Sequence, residues 1–216
     1  RAKHAEQLSA FIFNFPTKFL AMNSGFTTTL SICLAVFVSA QPKIRQADWQ
    51  QSCDYYINVS LDDKAHTLSG DARFVYTNNS PNTLTKMYFH IWPNAYKDDL
   101  TDFAIQQVAN GSTKFHFADD SLRGYIDRLD FKVNGKKATW SYYNNQIDIA
   151  VITVNRDLKP GESVEITTPF FVKIPGSFSR FGHVGQSYQI TEWYPKPSVY
   201  DVNGWNPMPY LNQGEC

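Results

Sequence analysis

Cysteine is scarce in this sequence: three in 216 residues, at positions 33, 53 and 216. That is too few for a disulfide framework, and the spacing suits no metal-ligand pair, so stability has to come from packing. Charge is scarce as well. Asp, Glu, Lys and Arg make up 19%, with twenty of each sign, and no Lys/Arg cluster is dense enough to serve as a footprint for nucleic acid. The chain has no His-Glu-x-x-His, no Gly-x-Ser-x-Gly elbow and no glycine-rich phosphate loop. Its five histidines (His4, His66, His90, His116, His183) never fall at the spacing of a helical metal pair. His90, on an aromatic strand face, and His116, between Phe115 and Phe117, read as packed, hydrogen-bonded histidines rather than ligands. Taken by themselves, the residues read as a binding or scaffolding domain, with calcium at the paired acids of its turns a lesser alternative.

Aromatic side chains are plentiful, with 16 Phe and 12 Tyr, and hydrophobic residues reach 43%. That is enough for one good core, and the mix favours strands. The first forty residues stand apart. An apolar run, Leu30 to Val38, ends in Ser39-Ala40, which matches the core and small-residue cleavage site of a secretory signal. A signal peptide over 22–40, within a leader of 1–40, is therefore expected, with export to the periplasm or the extracellular space after cleavage behind Ala40. The run is shorter than the ~20 residues a bilayer span needs. Cys33 counts as filler within it, and no transmembrane segment is expected in 41–216. The mature part carries a net charge of about −2.

From residue 41 onward the pattern is that of a mainly β domain, a β-sandwich or bent β-sheet. Tyr55, Ile57, Val59 and Leu61 alternate as a half-buried strand, and Asp62-Asp63-Lys64 turns the chain. His66 to Tyr76 is the next strand, with Gly70 as a bulge or a point of close approach. Leu84 to Trp92 has apolar or aromatic residues on both faces and reads as a central strand. A short helix fits Thr101–Val108. Ile126 to Val133 leads into Asn134-Gly135, a hairpin turn signal, with Ala138 to Tyr143 returning. Gln146 to Val154 follows, then a turn at Leu158–Gly161, then Val164 to Ile174, where Pro169 points to an edge or bend. Residues 175–216, rich in Pro, Gly, Tyr and Trp, are expected to form an irregular, binding-prone surface. The paired acids at 62/63, 98/99 and 119/120 read as solvated turns. Three Asn-x-Ser patterns, at Asn58, Asn78 and Asn110, are short enough to arise by chance.

Three stretches in order are Leu68-Ser-Gly-Asp-Ala-Arg-Phe-Val-Tyr-Thr-Asn-Asn79, Met87-Tyr-Phe-His-Ile-Trp-Pro-Asn-Ala-Tyr96 and Gln189-Ile-Thr-Glu-Trp-Tyr-Pro-Lys-Pro-Ser-Val-Tyr200. Together they resemble the N-terminal domain of aminopeptidase N-like zinc metallopeptidases (gluzincins), in the form found in secreted bacterial members. The resemblance covers roughly residues 48–215. It implies a bent β-sheet domain that caps a downstream catalytic domain and shapes the pocket for the amino terminus of a peptide substrate. It also implies a pocket Gln or Glu shortly before an aromatic-Pro step, here Tyr194-Pro195, which makes Gln186, Gln189 and Glu192 the substrate-binding candidates. Zinc is implied for the parent enzyme, on ligands beyond residue 216, so no hydrolysis is expected of this chain alone. Cys216 stands where such members carry an aromatic residue after Gly-Glu, which implies an interrupted reading frame or a truncation. The competing readings are a free-standing β-sandwich binding or adhesion module, prompted by the Trp and Tyr content of 188–210, and a structural domain without a ligand.

Overall fold

The computed structural model describes residues 49–213. The leader and signal expected over 1–40, with Cys33, and the terminal Cys216 lie outside the described residues. In chain order the first strands are β1 (Ser52–Asp62), β2 (Thr67–Thr77) and β3 (Leu84–His90). A 3-10 turn at Trp92–Tyr96 and helix α1 (Asp102–Ala109) follow. Then come β4 (Tyr125–Asp127), β5 (Lys132–Val133), β6 (Lys136–Lys137) and β7 (Trp140–Tyr143). Two long strands, β8 (Gln146–Leu158) and β9 (Ser163–Lys173), precede the short β10 (Phe181–Val184), β11 (Ser187–Ile190), β12 (Lys196–Pro197), β13 (Val199–Asp201) and β14 (Gly204–Asn206). The fold is thus mainly β, and every strand pairing is antiparallel. Among the described residues no helix is long and apolar enough to cross a membrane.

One sheet runs β1-β2-β9-β5-β6, with β4 also on β9, and the other runs β12-β3-β8-β7. They meet through their apolar faces. Phe74 of β2 touches Phe89 of β3 (ring centroids 5.4 Å apart), Phe89 touches Phe131 at 5.4 Å, and Phe131 touches Trp140 at 5.7 Å. Around them Ala72, Met87, Ala150, Ile152, Ile166 and Val172 are buried in the same core. Alternation along β2, β8 and β9 puts one side of each strand into this layer, as period-2 patterning requires. Strand β3 is interior to its sheet, as its two apolar faces predict.

Strand β1 follows the predicted alternation but not the predicted burial. Tyr55, Ile57, Val59 and Leu61 lie opposite Phe74, Ala72, Gly70 and Leu68, so they share the core-facing side. Yet Tyr55, Val59 and Leu61 are 45%, 46% and 44% exposed. Strand β1 is the edge of the wider sheet, and its inner face lies beyond the cover that buries β2.

Other expectations resolve similarly. Gly70 is a close approach and not a bulge: the register runs unbroken through it on both sides, and a Cβ there would sit 2.1 Å from the Asn58 carbonyl oxygen and 2.8 Å from the Phe170 ring. Asn134 and Gly135 both have positive φ, 49° and 75°, and form the expected hairpin turn. The strand expected over Ile126–Val133 is split into β4 and β5, with Arg128 at φ 58° between them. The hairpin's return is only the two-residue β6 on the first sheet, whereas the strand expected over Ala138–Tyr143 is β7, which pairs with β8 on the second. Pro169 sits inside β9, not at an edge. Neither β4 nor β5 pairs with residues 168–170, so the ladder on that side is already open where proline has no N–H to give. Residues 175–213 hold two hairpins, β10–β11 and β13–β14, and are more regular than their composition indicates. His116 is half-exposed and pairs with Asp99 at 3.5 Å, so it is a loop residue and not a packed one. Asn78 is fully buried. Its amide donates to the Asn82 and Leu158 carbonyls and its side-chain oxygen accepts from Ser80, an arrangement that leaves no room for a glycan.

Gly70→Ala is expected to lower the unfolding free energy by about 2–3 kcal/mol, because the backbone oxygen it meets cannot move aside without breaking the sheet. Gly111→Ala, where nothing lies within 4 Å and only the φ of 82° resists, is expected to cost about 1 kcal/mol. Urea unfolding of both variants measures the difference, and a Gly70→Ala cost no larger than that of Gly111→Ala refutes the close-approach argument.

Candidate functional site

The second sheet has a face turned away from the core. Strand β12 joins β3 with Lys196 opposite His90 and Pro197 opposite Phe89. Cross-strand partners share a face, so Lys196 and His90 stand together on the side opposite Phe89. Pro195 and Pro197 flank Lys196, and a segment poor in N–H donors is confined to a short edge strand. Where β3 ends, the chain enters the 3-10 turn through Trp92 and Pro93. The Trp92 ring stacks on His90, with centroids 4.5 Å apart and planes at 18°, and its indole N–H donates to the Met208 carbonyl at 3.1 Å.

These groups line an open cleft of about 900 Å³, with Arg180, Glu192, Asp201 and Tyr210 among its other walls. The Lys196 ammonium lies 4.1 Å from the Trp92 ring centroid and forms an ion pair with the Glu192 carboxylate. Glu192 has φ 56°, a left-handed conformation that few non-glycine residues adopt. The opposite wall is tied down from below. The buried Asp148 of β8 accepts the Tyr210 backbone N–H at 2.7 Å, and the Arg180 guanidinium donates to the Leu211 carbonyl at 3.2 Å. Tyr210 itself packs on Tyr96 and Phe103, which carries α1 into the same aromatic cluster.

Two groups that titrate below pH 7, His90 and Asp148, are strongly shifted. Burial, assisted by the nearby Lys196 charge and opposed by a hydrogen bond to the Asn206 carbonyl, lowers His90 to about 4. His90 is therefore neutral at pH 7, and its Nε2 has no hydrogen-bond partner. Burial raises Asp148 to about 6. The Tyr210 and Asp148 backbone N–H groups oppose that rise, and Asp102 adds to it.

Of the three residues singled out from sequence, Glu192 alone lines the cleft. Gln186 is at the turn of the β10–β11 hairpin, where its amide donates to Asp63 at 3.2 Å. Gln189 is exposed on β11 opposite Gly182. Trp92, Lys196 and Arg180 were not singled out. A lysine held between two prolines was the one local signal for Lys196; for Arg180 and Trp92 there was none, because only folding brings 92, 180 and 196 to one cleft. No protein-family model and no curated protein matches this chain.

The two shifts oppose each other. Between about pH 4 and 6.5 the unfolded chain binds more protons at residue 90 than the folded chain, so this contribution to stability grows as pH rises. Between about pH 4 and 6 the folded chain binds more protons at residue 148, so that contribution shrinks as pH rises. Asp148→Asn keeps an acceptor for the Tyr210 N–H and removes the second effect. It is expected to raise the unfolding free energy at pH 7 by about 1–2 kcal/mol. On acidification from pH 6.5 to 4 the variant should then lose stability more steeply than the native chain. Denaturant unfolding across that range checks it, and parallel curves for the two proteins refute it.

Proposed function

We propose that this chain supplies the N-terminal domain of an exported, aminopeptidase N-like zinc metallopeptidase, capping the active site and shaping the pocket for the substrate's amino terminus. The observation that carries the reading is the position of Glu192, a carboxylate just before Tyr194-Pro195 that stands in the wall of an open cleft. A carboxylate there accepts charge-assisted hydrogen bonds from an ammonium group, which selects peptides with a free amino terminus. Gln186 and Gln189, on the neighbouring hairpin, stay outside that contact in this reading.

The uncovered side of β1 supports the same reading. Tyr55, Val59 and Leu61 give the wide sheet an apolar margin that is half-exposed here. A contiguous apolar face of this kind marks an interaction surface, and the partner in this reading is the chain's own downstream catalytic domain. In such a parent, a zinc ion held by residues of the downstream domain would supply Lewis-acid chemistry for the hydrolysis. No three His, Cys, Asp or Glu side chains converge among the described residues. They do not fit a zinc centre, and the reading assigns the metal to the partner domain.

Two experiments test the proposal. The coding sequence beyond codon 216 is expected to encode His-Glu-x-x-His, and its absence from every frame over the next few hundred codons overturns the peptidase assignment. In solution, the full chain is expected to bind a hydrophobic dye, and Val59→Glu, on the apolar margin, is expected to abolish most of that signal. A clean monomer that binds no dye removes the docking face.

A further inference from the structure

Glu192 already holds an ammonium group, that of Lys196. The same ammonium lies over the face of Trp92. A carboxylate joined to an indole face is the chemistry of a cation cage. We infer that Glu192 and Trp92 form such a cage, that Lys196 fills it as a tethered occupant, and that a ligand's primary ammonium takes its place when Lys196 swings out. The ligand class rests on the reading of the cleft given above; the cage and its tethered occupant do not.

Both walls of the cage are held in position. Trp92 is stacked on His90 and anchored by its indole N–H to the Met208 carbonyl. Glu192 projects from a backbone in the left-handed region, a conformation that persists where surrounding structure imposes it. The occupant is less constrained. Lys196 has a fixed backbone between Pro195 and Pro197, but its charge rides on a flexible four-carbon stem. The Lys196 and Glu192 side chains are 25% and 34% exposed, so the pair sits at an open wall of the cleft and not beneath a sealed one. A lysine ammonium and a peptide amino terminus are the same –NH3+ group, so a cage that fits one fits the other. His90, neutral at pH 7, brings no second cation to the stacked indole. The occupant reduces apparent affinity, because only the fraction of molecules with Lys196 displaced can bind.

The test uses the full chain and n-butylammonium chloride at constant ionic strength, with n-butanol as the neutral control. Binding is read from the Trp92 indole N–H cross-peak in nitrogen–proton NMR spectra, assigned with Trp92→Phe. Lys196→Met keeps the length of the stem and removes its charge. It is expected to bind n-butylammonium about tenfold more tightly than the native chain, a factor that corresponds to about 1.4 kcal/mol. Adding Glu192→Gln is expected to erase the gain, and butanol is expected to shift nothing. Equal affinity in the native and Lys196→Met chains, or a gain that survives Glu192→Gln, overturns the inference. If circular dichroism shows Lys196→Met unfolded, Lys196→Gln carries the same comparison. Trialanine with a free or an acetylated amino terminus separates this inference from the functional reading. A butylammonium gain without discrimination between the two peptides leaves the cage standing and removes the peptide ligand. Glu192-dependent discrimination in the native chain without any gain in Lys196→Met leaves the peptide reading standing and removes the tethered occupant.

Discussion

Strand β2 is the member on which the rest of this fold depends. It is paired along its whole length on both sides, with β1 and with β9, in unbroken antiparallel register. Its inward side chains, Leu68, Ala72, Phe74 and Tyr76, are all buried, and Phe74 makes the contact that seats the second sheet through Phe89. Gly70 is what permits this. At that point the Asn58 backbone oxygen and the Phe170 ring approach so closely that no side chain fits between them.

The seating has a consequence on each side. Under β2 and β9 the two sheets exclude water and form the core. Beyond β2, the wider sheet projects past that cover and leaves the inner side of β1 apolar and half-exposed. On the far face of the second sheet, β3 and β12 bring His90, Trp92 and Lys196 into one stack, and the segment after β11 adds Glu192 to it. The cleft is thus an outgrowth of the sheet that forms the core, which gives its walls rigid support. Asp148 reinforces this by reaching from β8 to the backbone of Tyr210, whose ring lies in the aromatic cluster beneath.

Much of the sheet framework was legible from local pattern. The alternation over 67–77, 84–90 and 163–173, the Asn134-Gly135 turn and the short helix with Thr101 at its cap all depend on interactions within a few residues, and those are written in the chain directly. The apparent failures share one cause. Pro169 argues for an edge only if β9 is paired at that point on both sides, and the gap between β4 and β5 removes that condition. The alternation of β1 argues for burial only if another layer covers it, and none of the described residues covers Tyr55, Val59 or Leu61 fully.

At the site the division is similar. The sequence alone determined that a carboxylate, Glu192, precedes an aromatic-Pro-Lys-Pro run, and that aromatic residues flank His90. It determined which strands are amphipathic, because side-chain alternation follows from backbone geometry whatever the partner. The tertiary structure alone decided which of Gln186, Gln189 and Glu192 reaches the cleft, because a hairpin directs its turn and its base to different places. It alone also joined Lys196 to Trp92 across more than a hundred residues of chain. Such long-range contacts are set by sheet order and by where one layer ends over another, and neither leaves a mark in any local stretch of residues.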